Sequence, residues 1–152
     1  MIRKTYRTYF SFLILVLLST SLLTACSGNS TNASGGNGLA MASMAGMPAE
    51  VKSAPVTVQQ AYQFAFANPD VLKQIPCYCG CDKVGHTSNY ACYVHGVDEN
   101  GVITFDPHAL GCSICVDITQ DTMRLLRQGK TAGEIKTSID QTYSQYGPSN
   151  LP

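Results

Sequence analysis

The sequence predicts a small α+β domain, mainly helical, with a β-hairpin and a cysteine-rich central loop. Three observations carry that expectation. Apolar residues recur at helical spacing at both ends of the folded part. Two short β-prone runs flank the turn "DENG" between them. Six cysteines, at 77, 79, 81, 92, 112 and 115, fall in the middle. The chain has 152 residues and no tryptophan, so the core must be small and cross-links of some kind would help it.

The first helix is expected in "TVQQAYQFAFANP". Thr57 can cap it, Val58, Ala61, Tyr62, Ala65 and Phe66 form its stripe, and Asn68-Pro69 stops it. A short helical turn from Pro69 to Gln74 leads into Pro76. Residues 77 to 89 read as loop, with Gly80, Gly85 and Asn89 as breakers. "YACYVHGV" and "VITF" read as the two strands of the hairpin, and Asn100-Gly101 suits the positive backbone angles of its turn. Asp106-Pro107 opens the next helix, the aspartate as cap and the proline at the first helical position, with Gly111 able to shift the start to about Cys112. That helix runs to Gly129. Thr131 and Glu134 match a capping box for a last helix over roughly Ala132 to Tyr146, whose inward stripe is Ile135, Ile139 and Tyr143.

Ahead of the domain, Arg3, Lys4 and Arg7 precede an apolar stretch from Phe10 to Leu23, and "LTAC" follows. This reads as an export signal over residues 1–25. The apolar stretch is short against the roughly twenty residues of a membrane span. "LTAC" resembles the bacterial lipobox, which makes Cys26 the expected lipidated N-terminus, held at the outer face of the cell membrane by its acyl chains. Residues 26–55 are expected to be a flexible tether. "SGNSTNASGGNG" cannot bury enough surface to fold, and "MASMAGM" places Met41, Met44 and Met47 three apart between it and the prolines at 48 and 55. The folded domain is expected over 56–148. Without the signal, seven basic residues face ten acidic ones, and no basic run suggests nucleic acid.

Outside the cytoplasm, six thiols must first be weighed as three disulfides. Alternate residues in an extended chain lie about 6.6 Å apart, near the upper end of the bridging range. Bonding Cys77 to Cys79, or Cys79 to Cys81, would also close a tiny strained ring, so the oxidised form would tie these three to Cys92, Cys112 and Cys115, in a pairing the sequence leaves open. The competing reading is a soft-metal site in which thiolates from loop, hairpin and helix converge. "CYCGC" and "CSIC" have spacings by which short loops and helix starts wrap thiolate around Zn²⁺, Cu⁺ or iron–sulfur units, and Gly80 permits the necessary curl.

The histidines bear on this choice unequally. On a helix beginning at Pro107, His108, Cys112 and Cys115 stand at i, i+4 and i+7, on one narrow stripe. His86 follows Cys81 by five residues, near enough to reach back over the cluster. His95 is set aside, because on a straight strand it faces away from Cys92. Thioethers favour Cu⁺, and three methionines on a mobile tether have no core to fill. Copper is therefore the first metal expected and zinc the second. A third reading is thiol–disulfide exchange at "GCSIC", whose Cys112 a helix N-terminus could acidify. No serine or carboxylate constellation and no phosphate-binding glycine loop points to an enzyme.

"IPCYCGC", "GHTSNYACYV", "DPHALGCSIC" and "GKTAGEIKTSIDQTY" together resemble the PCYCGC-motif lipoproteins, a group found mainly in Gram-positive, spore-forming bacteria. The likeness spans about residues 57 to 147. It implies that Cys77, Cys79, Cys81, Cys92, Cys112, Cys115, His86 and His108 form one set, without His95, and that the set binds metal. Where members usually have a tryptophan before the second histidine, this chain has Phe105. The resulting expectation is a lipid-anchored extracytoplasmic domain that sequesters a soft metal ion or hands it to a donor or acceptor protein. The alternatives are a disulfide-stabilised surface domain and a thiol exchanger.

Overall fold

The computed structural model describes residues 38–151. Cys26, the export segment and the first part of the tether lie outside the described residues. Among the described residues, five α-helices and one two-stranded antiparallel sheet make up the regular structure, in keeping with the α+β expectation. In chain order they are α1 (Ala49–Ser53), α2 (Val56–Ala67), α3 (Pro69–Leu72), β1 (Val94–Val97), β2 (Ile103–Phe105), α4 (Ser113–Arg127) and α5 (Ala132–Tyr143), joined by short 3₁₀ turns. Among the described residues, no helix is long and apolar enough to cross a membrane.

Helices α2, α4 and α5 build the core, with α4 in the middle, packed against both. Ile118, Met123 and Leu125 of α4 are buried together with Ile135, Ile139 and Tyr143 of α5, the stripe that helical spacing predicts. The Thr131 capping box is complete: the Thr131 hydroxyl accepts from the Glu134 N–H, and the Glu134 carboxylate accepts from the Thr131 N–H. Tyr62 of α2 donates to the Asp106 carbonyl at 2.7 Å and meets the Tyr93 ring edge-on. These contacts lock the first helix to the segment that carries the hairpin.

The expected tether is corrected at its C-terminal part. Residues 39–55 lie along α2 as a 3₁₀ turn and α1, and the Ala42 N–H donates to the Gln63 carbonyl while the Gln63 amide donates back to the Ala42 carbonyl. Met47 is 4 % exposed and Val51 is fully buried, while Met41 and Met44 pack against the core. The three methionines thus fill a core instead of standing free, which removes them as an argument for copper. The α2 stripe also differs from expectation: Phe64, off it, is fully buried, and Phe66, on it, is 38 % exposed and stacks on Phe105.

Two further boundaries differ from expectation. Tyr90–Cys92 forms a 3₁₀ turn, so β1 begins only at Val94, and a bulge at His95 interrupts its pairing with β2. The helix expected from Pro107 is instead a 3₁₀ turn, His108–Leu110, followed by an extended Cys112 that serves as N-cap to α4. Gly111 and the extended Cys112 separate the two, so His108 does not share a helix with the cysteines.

Candidate metal centre

Three walls of chain enclose one pocket of sulfur and nitrogen. The first is the loop Cys77–Cys81. Gly80 takes the left-handed conformation (φ +78°), which L-residues adopt only at a cost, and it turns the chain so that Cys81 starts a 3₁₀ turn pointing back inward. The second wall is the start of α4. Cys112 at the N-cap and Cys115 one turn later point the same way, as i, i+3 residues do. The third is formed by His86, Cys92 and His108 from the loop, the turn before β1 and the turn after β2.

The sulfurs lie close together without bonding. Cys77 Sγ is 3.4 Å from Cys79 and 3.3 Å from Cys115; Cys79 is 3.5 Å from Cys115, Cys115 is 3.1 Å from Cys112, and Cys81 is 3.8 Å from Cys92. A disulfide needs about 2.05 Å. All six are free thiols, so the cross-bridged arrangement weighed from the sequence is not formed. Thiolates around a tetrahedral ion at about 2.3 Å would stand about 3.8 Å apart, close to the spacing of this cluster.

All eight side chains expected as ligands take part. Cys79, His108, Cys112 and Cys115 have donor atoms within 4.8 Å of one another, as do Cys81, His86, Cys92 and His108; Cys77 joins Cys79 and Cys81 on one side and Cys92 and Cys115 on the other. His95 joins none of these groups, and its side chain is 75 % exposed. The alternation argument against it assumed that Cys92 lies on the strand. Because Cys92 precedes β1, the exclusion instead follows from the outward direction of the bulge.

The histidines are oriented by a residue that the sequence suggested only as a helix cap. Asp106 Oδ2 lies 3.2 Å from His86 Nε2, and Oδ1 accepts the backbone N–H of His108 at 2.8 Å. A carboxylate can only accept, so Nε2 is the nitrogen that donates here, and in the neutral imidazole Nδ1 is the one left with a lone pair. That Nδ1 is buried and has no hydrogen-bond partner. An unpaired buried acceptor is costly, and a carboxylate holding the far nitrogen is how proteins fix metal-ligating imidazoles. The donor set and the orphaned nitrogen both fit an ion.

Protonation follows the same geometry. Cys115 donates its S–H toward Cys112, which raises the Cys115 pKa and draws that of Cys112 down to about 7. Neighbouring thiols, Cys92 foremost, and the His108 imidazole draw Cys79 down to about 5 against the opposing effect of burial. Burial alone would lower the His108 pKa, but the sulfurs of Cys79 and Cys112 outweigh it and raise it. Thiolate is thus available at neutral pH on the half-buried side of the cluster.

A family model described as "Protein of unknown function with PCYCGC motif" matches residues 14–151. The chain belongs to this family. No curated protein and no solved structure matches it. For this PCYCGC domain the chemistry is therefore carried by the donors and their supports. Three supports besides Asp106 were not singled out from the sequence for this role. The Asn150 side chain accepts the Cys77 N–H at 2.6 Å and donates to the His86 carbonyl at 3.2 Å and to Cys81 Sγ at 3.4 Å, while its own N–H binds the Cys77 carbonyl. Asn89 and Tyr93 both donate to the Cys115 carbonyl. An asparagine beyond the expected boundary at 148 carries no periodic signal. The chain reaches it past Gly147, where a Cβ would stand 2.9 Å from the Tyr78 carbonyl oxygen.

Proposed function

We propose that this domain binds a soft metal ion through its clustered cysteine thiolates, with His86 and His108 as nitrogen ligands, and serves to sequester the ion or hand it over. The observation that carries this reading is the convergence of free thiols with His86, whose ring has a donor nitrogen within 4.8 Å of those of Cys81, Cys92 and His108, and whose buried Nδ1 has no partner while Asp106 holds Nε2. Buried polar atoms without a partner are uncommon in folded proteins, and an ion held by the neighbouring thiols and this ring would give it one. Six sulfurs favour a soft ion, Cu⁺ first and Zn²⁺ second. The preference rests on cysteine sulfur, since the methionines pack in or against the core. No bond-making on a substrate is part of this reading, and the ion is supplied or received by a donor or acceptor protein.

The location follows from the N-terminal sequence. An export signal ending in "LTAC" supports acylation of Cys26 and residence on the outer face of the cell membrane. Radiolabelled fatty acid fed to cells should enter the wild-type protein and not the Cys26→Ser variant.

Metal binding is tested on full-length protein purified without oxygen and loaded separately with Cu⁺ and Zn²⁺. Native mass spectrometry should show a metal adduct that is lost on acidification, because protons compete for thiolate. Alkylation should find the six cysteines from Cys77 to Cys115 protected in the loaded protein and reactive after acid and unfolding. A gain of about six mass units on reduction of the native protein would mean three disulfides and would overturn the proposal. Six free thiols that retain no ion would do so as well.

A further inference from the structure

The eight donors divide into two sets that differ in burial. Cys81, Cys92 and His86 are all buried; Asp106 holds His86, Asn150 donates to Cys81 Sγ, and Cys92 donates to the Ser88 carbonyl. Cys79, Cys112 and Cys115 form the other set, in which only Cys115 is buried and Cys79 and Cys112 are half-exposed. His108, also half-exposed, belongs by distance to both. Cys112 joins only the outer group and His86 only the inner one.

Resting on the metal-binding reading, we propose that the pocket is a two-ion centre in which the Cys77 thiolate bridges a buried inner ion and an accessible outer one. Eight donors are twice what one tetrahedral ion takes, and no single group of mutually close donors contains more than four of them. Cys77 is the hub: its sulfur lies within 4.8 Å of those of Cys79, Cys81, Cys92 and Cys115, two from each set. It is fully buried, and Asn150 holds both its N–H and its carbonyl. A thiolate sulfur has lone pairs enough for two ions, and bridging is the ordinary use of a sulfur between two soft metals. The inner ion would be enclosed by protein. The outer one faces solvent through Cys79, Cys112 and His108, where the thiol of an acceptor protein can approach, so it is the ion exchanged in a hand-over.

The test is an anaerobic titration of the full chain with Cu⁺, followed by native mass spectrometry and by removal of the ions with excess chelator. Wild type should bind two ions and lose them in two kinetic phases. Cys112→Ser should bind one and lack the fast phase, and the fold should tolerate it because serine is a favoured N-cap residue. Cys92→Ser should also bind one but lack the slow phase; if that buried substitution unfolds the domain, the two phases of wild type still decide the matter. A count other than two with all six thiols protected, or release in one phase, overturns the two-ion centre and leaves metal binding intact. Absence of any bound ion refutes metal binding itself, and the inference with it.

Discussion

The two principal walls of the sulfur pocket are held in place by different means. Cys112 and Cys115 sit at the start of α4, a helix that buries Val116, Ile118, Thr119, Thr122, Met123 and Leu125. The Cys115 carbonyl takes hydrogen bonds from Tyr93 at 2.8 Å and Asn89 at 3.2 Å. Cys77, Cys79 and Cys81 sit on a loop whose position depends on Gly80 and on the clamp from Asn150. One wall is thus carried by a core helix, while the other, although Cys77, Tyr78 and Cys81 are also buried, has no helix beneath it and is held by side-chain hydrogen bonds with Asn150 and Asp140. The contrast implies that folding alone positions the helix wall, whereas a bound ion would staple the loop wall to it, converting binding energy into order.

The most severe way to break this contrast is to damage the helix wall through its core. Ile118 is fully buried one turn below Cys115, and Ile118→Ala should cost about 2–5 kcal/mol of stability, measured by chemical denaturation of the metal-free protein. A loss below about 1 kcal/mol would mean that α4 does not anchor its wall through the core. The loop wall is tested by Asn150→Ala. The Cys77 N–H is left buried without its partner, at about 1–3 kcal/mol. Because Asn150 also touches Cys81 Sγ and the His86 carbonyl, affinity for Cu⁺ in a chelator competition should fall about 10–100-fold. Unchanged affinity would show that the loop wall does not need its clamp.

Asp106→Asn sharpens the comparison at the third wall. The amide keeps the shape but can present N–H where the carboxylate accepted, so His86 loses the partner that fixes its tautomer. Affinity should drop within the same range of about 10–100-fold, with little change in the helical circular dichroism. If affinity holds, His86 is not oriented by Asp106.

How much of this was legible depended on whether a feature leaves a pattern in the chain. The α5 stripe and the Thr131 capping box are periodic or fixed-spacing signals, and both stand as read. Gly80 and the Asn100-Gly101 turn announce positive φ by residue type, and Gly80 and Gly101 both adopt it. The eight donors were legible because thiols and imidazoles are scarce and chemically distinct. Residues 39–55 were misread because alanine, methionine and proline in a non-periodic run look like linker; their order comes from contacts with α2, which only tertiary packing supplies. His108 was placed on a helix because Asp-Pro is a good helix start, and the break at Gly111 and Cys112 decided otherwise. Asn150 and the double role of Asp106 had no signal in spacing, since each acts through space on residues distant in the chain.

The smallest predicted effect is the control that gives the others meaning. Thr131 caps α5 at an exposed position, and α5 packs against α4 but contributes none of the eight donor residues. Thr131→Ala should remove about 1 kcal/mol of stability through the lost cap and leave Cu⁺ affinity unchanged. Asn150→Ala removes a comparable stability but acts directly on the loop wall, so affinity should separate the two variants where denaturation does not. If Thr131→Ala weakened the ion as much as Asn150→Ala, affinity would simply track global stability, and the loop wall would be held by the whole fold in the same way as the helix wall.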